Sequence, residues 1–242
     1  MCRNWQGSAT SAEPQPTNTL DFWKHKIIPY PLHMGMGLCY NLLNTLEFRK
    51  GVQMVFYHGS IIPGITQLDA RSKLHNSEDR VVYLTDSIPY ALYYIWDAEH
   101  NGCSIKHVTG WTRNGIAYYE EQFPEQLRTF YQGVSGYLYR ILDTGNIKAV
   151  ENRTNMFYST ESIPMVDAIL IDDVYEELLK YESEGKFVVL RYNEQTEDRQ
   201  NELVDMIAQA IVMNDFYADN KERQDFMMKY FPKSWERASI QR

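Results

Sequence analysis

The residues best suited to chemistry form a polar triplet after a short apolar stretch: His58, Gly59 and Ser60 follow Met54 to Tyr57. A neutral His58 ring carries one hydrogen-bond donor and one acceptor, and Ser60 carries a rotatable hydroxyl. Gly59 has no Cβ, so its backbone can lie flat against a ligand. Because β-branched and aromatic residues favour strands, the pattern predicts a strand that ends in a ligand-binding triplet. A strand followed by a glycine turn with a surface histidine is the plainer interpretation.

A second apolar stretch carries aromatic candidates. Arg80 to Thr85 has the composition of a strand and contains Tyr83. Asp86 or Ser87 can cap a helix that we expect from about Ile88 to Glu99, with a proline in its first turn. This predicted helix is rich in tyrosine and includes Tyr90 and Tyr94.

The third candidate is a carboxylate. Ser159 to Val166 passes from a polar turn into an extended run and contains Glu161. Glu121 and Glu176 are rivals, although charge in the first turn of a helix explains Glu121 and a solvated helix face explains Glu176.

The order of elements predicts an α+β fold: strands with inserted helices over residues 54–192, then helices only. There is no G-x-G-x-x-G after a strand and no G-x-x-x-x-G-K-[ST], so two common nucleotide-binding motifs are absent. Further predicted elements are a hairpin over 104–109 and 115–119, a helix over 120–131, a strand over 136–142, short strands over 146–150 and 155–158, an extended run to 171, a capped helix from 172 or 173 to 184, a strand over 187–192, and helices from 197 onward.

In this order the three motifs resemble the His-Tyr-Glu class of ADP-ribosyltransferase-fold proteins, which includes poly-ADP-ribose polymerases and diphtheria-type toxins. The family's first strand ends in His-Gly-Ser/Thr, matched by residues 58–60, and its second strand carries the tyrosine matched by Tyr83. Glu161 is the best match to the family's acidic residue. The resemblance covers roughly residues 54–192 and implies split antiparallel sheets with inserted helices, followed by a helical C-terminal part.

The resemblance also implies roles for these residues and NAD as co-substrate, without a metal. His58 would hold the adenosine ribose, the Gly59 backbone the nicotinamide amide, and Ser60 would assist. Tyr83 would stack on the nicotinamide ring, with Thr85, Tyr90 and Tyr94 in the same cofactor-binding set. Glu161 would stabilise the oxocarbenium-like transition state of nicotinamide–ribose cleavage, since charge placed beside a developing cation is usually the largest catalytic contribution.

Composition limits the function classes and the cellular location that we expect. The net charge of −8, without a lysine or arginine run, makes a nucleic-acid-coating role improbable. No apolar run approaches the roughly 20 residues that span a bilayer. Three distant cysteines (Cys2, Cys39 and Cys103) suggest neither a disulfide framework nor a zinc site. The expectation is a cytoplasmic protein with no membrane partner.

We divide the chain into an N-terminal extension (1–53), an ADP-ribosyltransferase-like core (54–192) and a C-terminal helical segment (193–242). The extension is predicted to be poorly ordered, because residues 7–19 are polar and contain proline. Arg49 to Gln53 is what a ribosome-binding site gives when translated in frame, so Met54 is one candidate for the natural start, and a genuine N-terminal arm is the other.

Three functional hypotheses remain open. The first is NAD-dependent transfer of ADP-ribose to an acceptor that the sequence does not identify, whether protein, nucleic acid or small molecule. The second is a non-catalytic module of the same fold that binds NAD, ADP-ribose or a protein. The third is a different enzyme on an unrelated α+β fold, with His58 as general base.

Overall fold

The structure is a computed structural model that describes residues 53–74, 77–104, 106–218 and 220–240. The predicted disorder of the N-terminal extension and the question of the natural start concern residues outside this range, apart from Gln53. In chain order the elements are β1 (Val55–Ser60), β2 (Gln67–Leu68), β3 (Ser72–Lys73), β4 (Arg80–Leu84), α1 (Ile88–Leu92), α2 (Ala98–Asn101), β5 (Gly110–Arg113), β6 (Ile116–Glu120), α3 (Gln126–Tyr131), β7 (Gly136–Leu142), β8 (Lys148–Ala149), β9 (Phe157–Ser159), β10 (Ile163–Pro164), β11 (Asp167–Ile171), α4 (Val174–Ser183), β12 (Phe187–Leu190), α5 (Glu197–Met213), α6 (Lys221–Tyr230) and α7 (Pro232–Ile240).

Two small antiparallel sheets frame the predicted site. One has the strand order β1-β7-β11, and the other has the order β3-β4-β9-β8. A single residue pair connects them: the Tyr57 N–H donates to the Thr85 carbonyl oxygen (2.7 Å), and the Thr85 N–H donates to the Tyr57 carbonyl oxygen (3.2 Å). Beyond this pair β1 and β4 form no ladder; each follows its own sheet. We call the space between the two strands, from the Tyr57–Thr85 pair towards Ser60 and Arg80, the split.

A third sheet supports the helices behind the split. Its order is β12-β6-β5, with β6 and β5 antiparallel and β12 parallel to β6. Helices α5, α6 and α7 share one apolar core with this sheet and with α1 and α3. Buried members of that core include Leu92, Ile95, Phe130, Ile207 and Phe226. Burial of this apolar surface is the main stabilising contribution to the arrangement.

The fold is therefore mixed α+β, with several small sheets followed by C-terminal helices, as predicted. Strand β7 has the predicted bounds, and α4 begins after its predicted cap, Asp173, whose side chain accepts from the Glu176 N–H. The second strand of the predicted hairpin corresponds to β6, but the first strand predicted over 104–109 is wrong, because the strand that pairs with β6 is β5, Gly110–Arg113.

Two predicted helices are wrong in part. The helix expected over 88–99 is two short helices, because the chain turns at Tyr93 and restarts at α2, where the Asp97 carboxylate accepts from the Glu99 and His100 N–H groups. The helix expected over 120–131 begins only at Gln126. Its first residue, Glu120, is the last residue of β6 and is held there by Arg199.

No helix in the described ranges is both long and apolar enough to cross a bilayer. The division of the chain at residue 193 stays a prediction.

Candidate functional site

His58 lies in β1 beside the split, and its ring reaches the neighbouring sheet. Nδ1 is 3.3 Å from the Tyr83 carbonyl oxygen. Burial, and secondly the positive charge of Lys106, lower the pKa of His58 to about 4. At neutral pH the ring is therefore uncharged. Since a carbonyl oxygen only accepts, the Nδ1 proton makes this bond and Nε2 is left as an acceptor for a ligand hydroxyl.

Gly59 is required by close packing of β1 against α1. A Cβ at this position would lie 2.2 Å from the Ala91 carbonyl oxygen and 3.0 Å from the Ile95 side chain. Only glycine lets the strand end approach the helix this closely. The helix therefore fixes where the backbone of the triplet lies. The Ser60 hydroxyl accepts a 3.1 Å bond from the Ile62 N–H within its own turn.

Tyr83 and Thr85 lie on the opposite side of the split. The Tyr83 hydroxyl donates to the Lys73 carbonyl oxygen of β3 (3.3 Å), and its ring is half-buried. Thr85 is buried: its backbone joins the two sheets, and its Oγ1 accepts from the Ser87 N–H (3.1 Å). Thr85 therefore fixes the turn into α1, while Tyr83 ties β4 to β3.

Tyr90 and Tyr94 form an aromatic pair at the end of α1. Their ring centroids are 5.7 Å apart, and Tyr94 Oη lies 3.5 Å from Tyr90 Oη. Burial raises the pKa of both phenols, and the positive charge of Arg153 opposes the rise. Both groups are neutral hydroxyls at physiological pH, and Arg153 is near enough to act on them.

Lys106 is a site residue that the sequence did not reveal. Its Nζ donates a 2.8 Å bond to the Tyr94 carbonyl oxygen and lies 5.7 Å from the centroid of the Tyr94 ring. Burial lowers its pKa to about 8. The sequence placed Lys106 inside a predicted strand over 104–109, where nothing distinguishes it from a solvated lysine.

Glu161 lies apart from this group. In the antiparallel ladder Leu84 faces Phe157 and Val82 faces Ser159. The chain therefore leaves β9 towards the Arg80 end of β4, away from the Tyr57–Thr85 pair. Glu161 is exposed; its carboxylate accepts from Asn146 Nδ2 (2.7 Å) and its N–H donates to Ser159 Oγ (3.0 Å).

The other two candidate carboxylates, Glu121 and Glu176, lie where a structural role explains them. Glu121 is buried, and its two oxygens accept from the N–H groups of Leu127 (3.2 Å) and Tyr192 (3.1 Å). Burial raises the pKa of Glu121, and these bonds oppose the rise. Glu176 is exposed in the first turn of α4.

The described residues contain no group of three or more histidine, cysteine or acidic side chains that could hold a metal ion. No protein-family model, curated protein or solved structure matches this chain. The geometry thus places His58, Gly59, Tyr83 and Thr85 at the split, with Ser60 bonded within its own turn. Tyr90 and Tyr94, at the end of the helix that packs on Gly59, lie beside Lys106, and Glu161 follows the far end of β9.

Proposed function

We propose that the chain is an NAD-dependent ADP-ribosyltransferase of the His-Tyr-Glu class, with a fold of the split-sheet ADP-ribosyltransferase type. The observation that carries the proposal is where β1 ends: two antiparallel sheets separate there, His58 reaches the Tyr83 carbonyl oxygen, and Gly59 packs against α1, the helix that contains Tyr90 and precedes Tyr94. Histidine, a glycine backbone and tyrosine rings suit the riboses and flat nicotinamide ring of NAD.

In the reaction, the bond between nicotinamide nitrogen and ribose breaks, and its electron pair neutralises the positive charge of the pyridinium nitrogen. The ribose carbon gains oxocarbenium character and is attacked by a nucleophile of the acceptor, which loses its proton. The Nε2 atom of neutral His58 would accept a hydrogen bond from a ribose hydroxyl, because Nδ1 already donates its proton to the Tyr83 carbonyl oxygen. The tyrosines would orient the leaving group, since their rings lose few rotamers on binding.

Glu161 is the proposed catalytic carboxylate. One observation favours a second candidate function. One step along the ladder from the Leu84–Phe157 pair, Met156 is buried at the level of Thr85. An apolar side chain therefore occupies the end of β9 nearest the sheet junction, while Glu161 follows the other end. A module that binds NAD, ADP-ribose or a protein partner without turnover would have this arrangement.

Release of nicotinamide from NAD by the full chain tests the proposal, with NAD binding measured in parallel by calorimetry. The variants are Glu161→Gln and, as matched control, Glu176→Gln on the exposed face of α4. If Glu161 is the acid, its variant binds NAD normally and loses about 100-fold or more in turnover, while the control keeps the full rate.

Each other outcome is informative. Turnover that persists in Glu161→Gln removes Glu161 from the mechanism. Binding without turnover in the wild type, with the candidate acceptor classes present, supports the binding module. If the wild type neither binds NAD nor releases nicotinamide from it, the NAD hypothesis is rejected.

A further inference from the structure

Lys106 carries a positive charge for which the described part of the chain provides no counter-charge. The Nζ atom contacts the Tyr94 carbonyl oxygen and faces the Tyr94 ring, and its charge reaches His58. Among the described residues no carboxylate lies within 4.0 Å of Nζ. An ammonium has three donor hydrogens, and one bond to Tyr94 leaves two of them without a partner among the described residues.

A partly buried ammonium without a carboxylate is costly, because removal of charge from water is repaid only by a paired anion and further hydrogen bonds. Lys106 has the Tyr94 ring and one carbonyl oxygen but no carboxylate among the described residues. Lys186 also faces a tyrosine ring, at 6.0 Å, but its Nζ lies 2.7 Å from a Glu184 carboxylate oxygen and its side chain is 63% exposed. The unpaired charge of Lys106 points to an anion supplied from outside the chain.

A second cation lies on the same tyrosine pair. Arg153 acts electrostatically on Tyr90 and Tyr94, and its side chain forms no ion pair within the described residues. Lys106 faces the Tyr94 ring, and the exposed Arg153 is near enough to act on both phenols, so two positive charges lie near the Tyr90–Tyr94 pair. This set suits an anion with two charges and several acceptor oxygens, since charge-assisted hydrogen bonds are the strong ones.

We propose that Lys106 is the anion-binding residue of the split, where it binds the diphosphate of a dinucleotide, with Arg153 as a second, outer cation. The proposal rests on the proposed function for the choice of dinucleotide, and on the geometry of Lys106 for the anion. The Tyr94 carbonyl oxygen holds the ammonium in place before the ligand arrives, which reduces the entropy lost on binding.

The test compares the full-length wild type with Lys106→Met, and with Lys186→Met as matched control. Methionine keeps the unbranched apolar stem and removes the charge. Calorimetry measures affinity for three probes: ADP-ribose, inorganic pyrophosphate and uncharged adenosine. We expect Lys106→Met to weaken ADP-ribose and pyrophosphate binding by about tenfold or more, with adenosine binding unchanged, and Lys186→Met to change none of them.

A thermal melt separates this role from a purely structural one. If Lys106 only held the Tyr94 carbonyl, its variant would melt earlier and lose adenosine and pyrophosphate binding together, which would overturn the proposal. If the wild type binds ADP-ribose and Lys106→Met binds both anions with the same affinity, the proposal for Lys106 is wrong and the proposed function is unaffected. Pyrophosphate binding that depends on Lys106, in a chain that binds neither NAD nor ADP-ribose, would keep the anion site and reject the NAD-dependent function. Failure of the wild type to bind either anion would reject both.

Discussion

Ionisable side chains are buried or partly buried in two regions of this molecule, and the hydrogen-bond partners that the chain provides differ between them. Behind the third sheet, Glu120 receives two bonds from Arg199, at 2.9 and 2.8 Å, and neighbouring Glu121 accepts two backbone N–H groups. At the split, Lys106 has one carbonyl partner and His58 keeps one ring nitrogen unused.

The difference separates groups that build the fold from groups that are available to a ligand. A buried charge with its partners supplied by the chain fixes the position of those partners. Here Glu120 connects β6 to α5 through Arg199, and Glu121 connects the end of β6 to the segment after β12 through the Tyr192 N–H. A buried charge without such partners costs stability and persists where function requires it.

The largest expected effect comes from breaking the paired region. Glu120→Ala leaves the Arg199 guanidinium, whose side chain is 20% exposed, without its main partner. We expect a loss of about 3 kcal/mol or more in the free energy of unfolding, measured by urea denaturation. Glu202→Ala removes another partner of Arg199, one that is 64% exposed, and should cost under about 1 kcal/mol. Equal losses in the two variants would contradict the comparison.

A fall in pH should lower the stability of the protein through His58 at the split. The pKa of His58 is about 4 in the folded chain against an ordinary 6.5, from burial first and the Lys106 charge second. Between these values the unfolded chain binds the proton and the folded chain does not, so stability falls as the pH drops from 6.5 to 4. The share of His58 is at most about 3 kcal/mol.

Buried His107, whose pKa is also lowered to about 4, adds a similar loss, so the share of His58 requires a variant. Urea denaturation at pH 7 and pH 4.5 should show a smaller acid loss in His58→Asn than in the wild type. An identical loss would mean that His58 is not titrated with folding.

Gly59→Ala tests whether the strand end is fixed by α1. The added Cβ would meet the Ala91 carbonyl oxygen at 2.2 Å, so strand or helix must move. We expect a cost of about 1–3 kcal/mol and loss of NAD binding. Ser60→Ala removes only a bond within its own turn and is the control for the change in stability alone. Normal NAD binding by Gly59→Ala would show that the triplet does not form the binding surface.

The smallest effect on stability is expected for Glu161→Gln. Glu161 is exposed and its neutral isostere can still accept from Asn146, so the free energy of unfolding should change by less than about 0.5 kcal/mol. A thermal melt checks this. With stability unchanged, a loss of turnover in this variant reports chemistry rather than folding; a large shift in the melt would remove that interpretation.

Local signals in the sequence predicted the elements that local interactions determine. The strand that ends at Ser60, strand β7 and the Asp173 cap of α4 all follow from strand composition or capping residues near in sequence. The candidate residues of the first two motifs do meet at the split.

Interactions between distant residues decided the rest. The predicted helix over 88–99 ends at Leu92, and beyond its end the Tyr94 carbonyl oxygen accepts from Lys106, twelve residues later. Glu120 pairs with Leu190 of β12 and binds Arg199 across a separation of 79 residues, so it belongs to β6 rather than to the predicted helix. The parallel pairing of β12 with β6 and the position of Lys106 beside Tyr94 have no local signal, since each depends on which segments meet in space.

The one residue pair that connects the two sheets has a dynamic consequence. All backbone bonding between β1 and β4 passes through the amide groups of Tyr57 and Thr85. Separation of the sheets exposes these two amide protons together, whereas those of β7, paired on both sides, stay protected. A ligand that spans the split holds β1 and β4 at a fixed distance. Slower deuterium uptake at the Tyr57 and Thr85 amides therefore reports an occupied site.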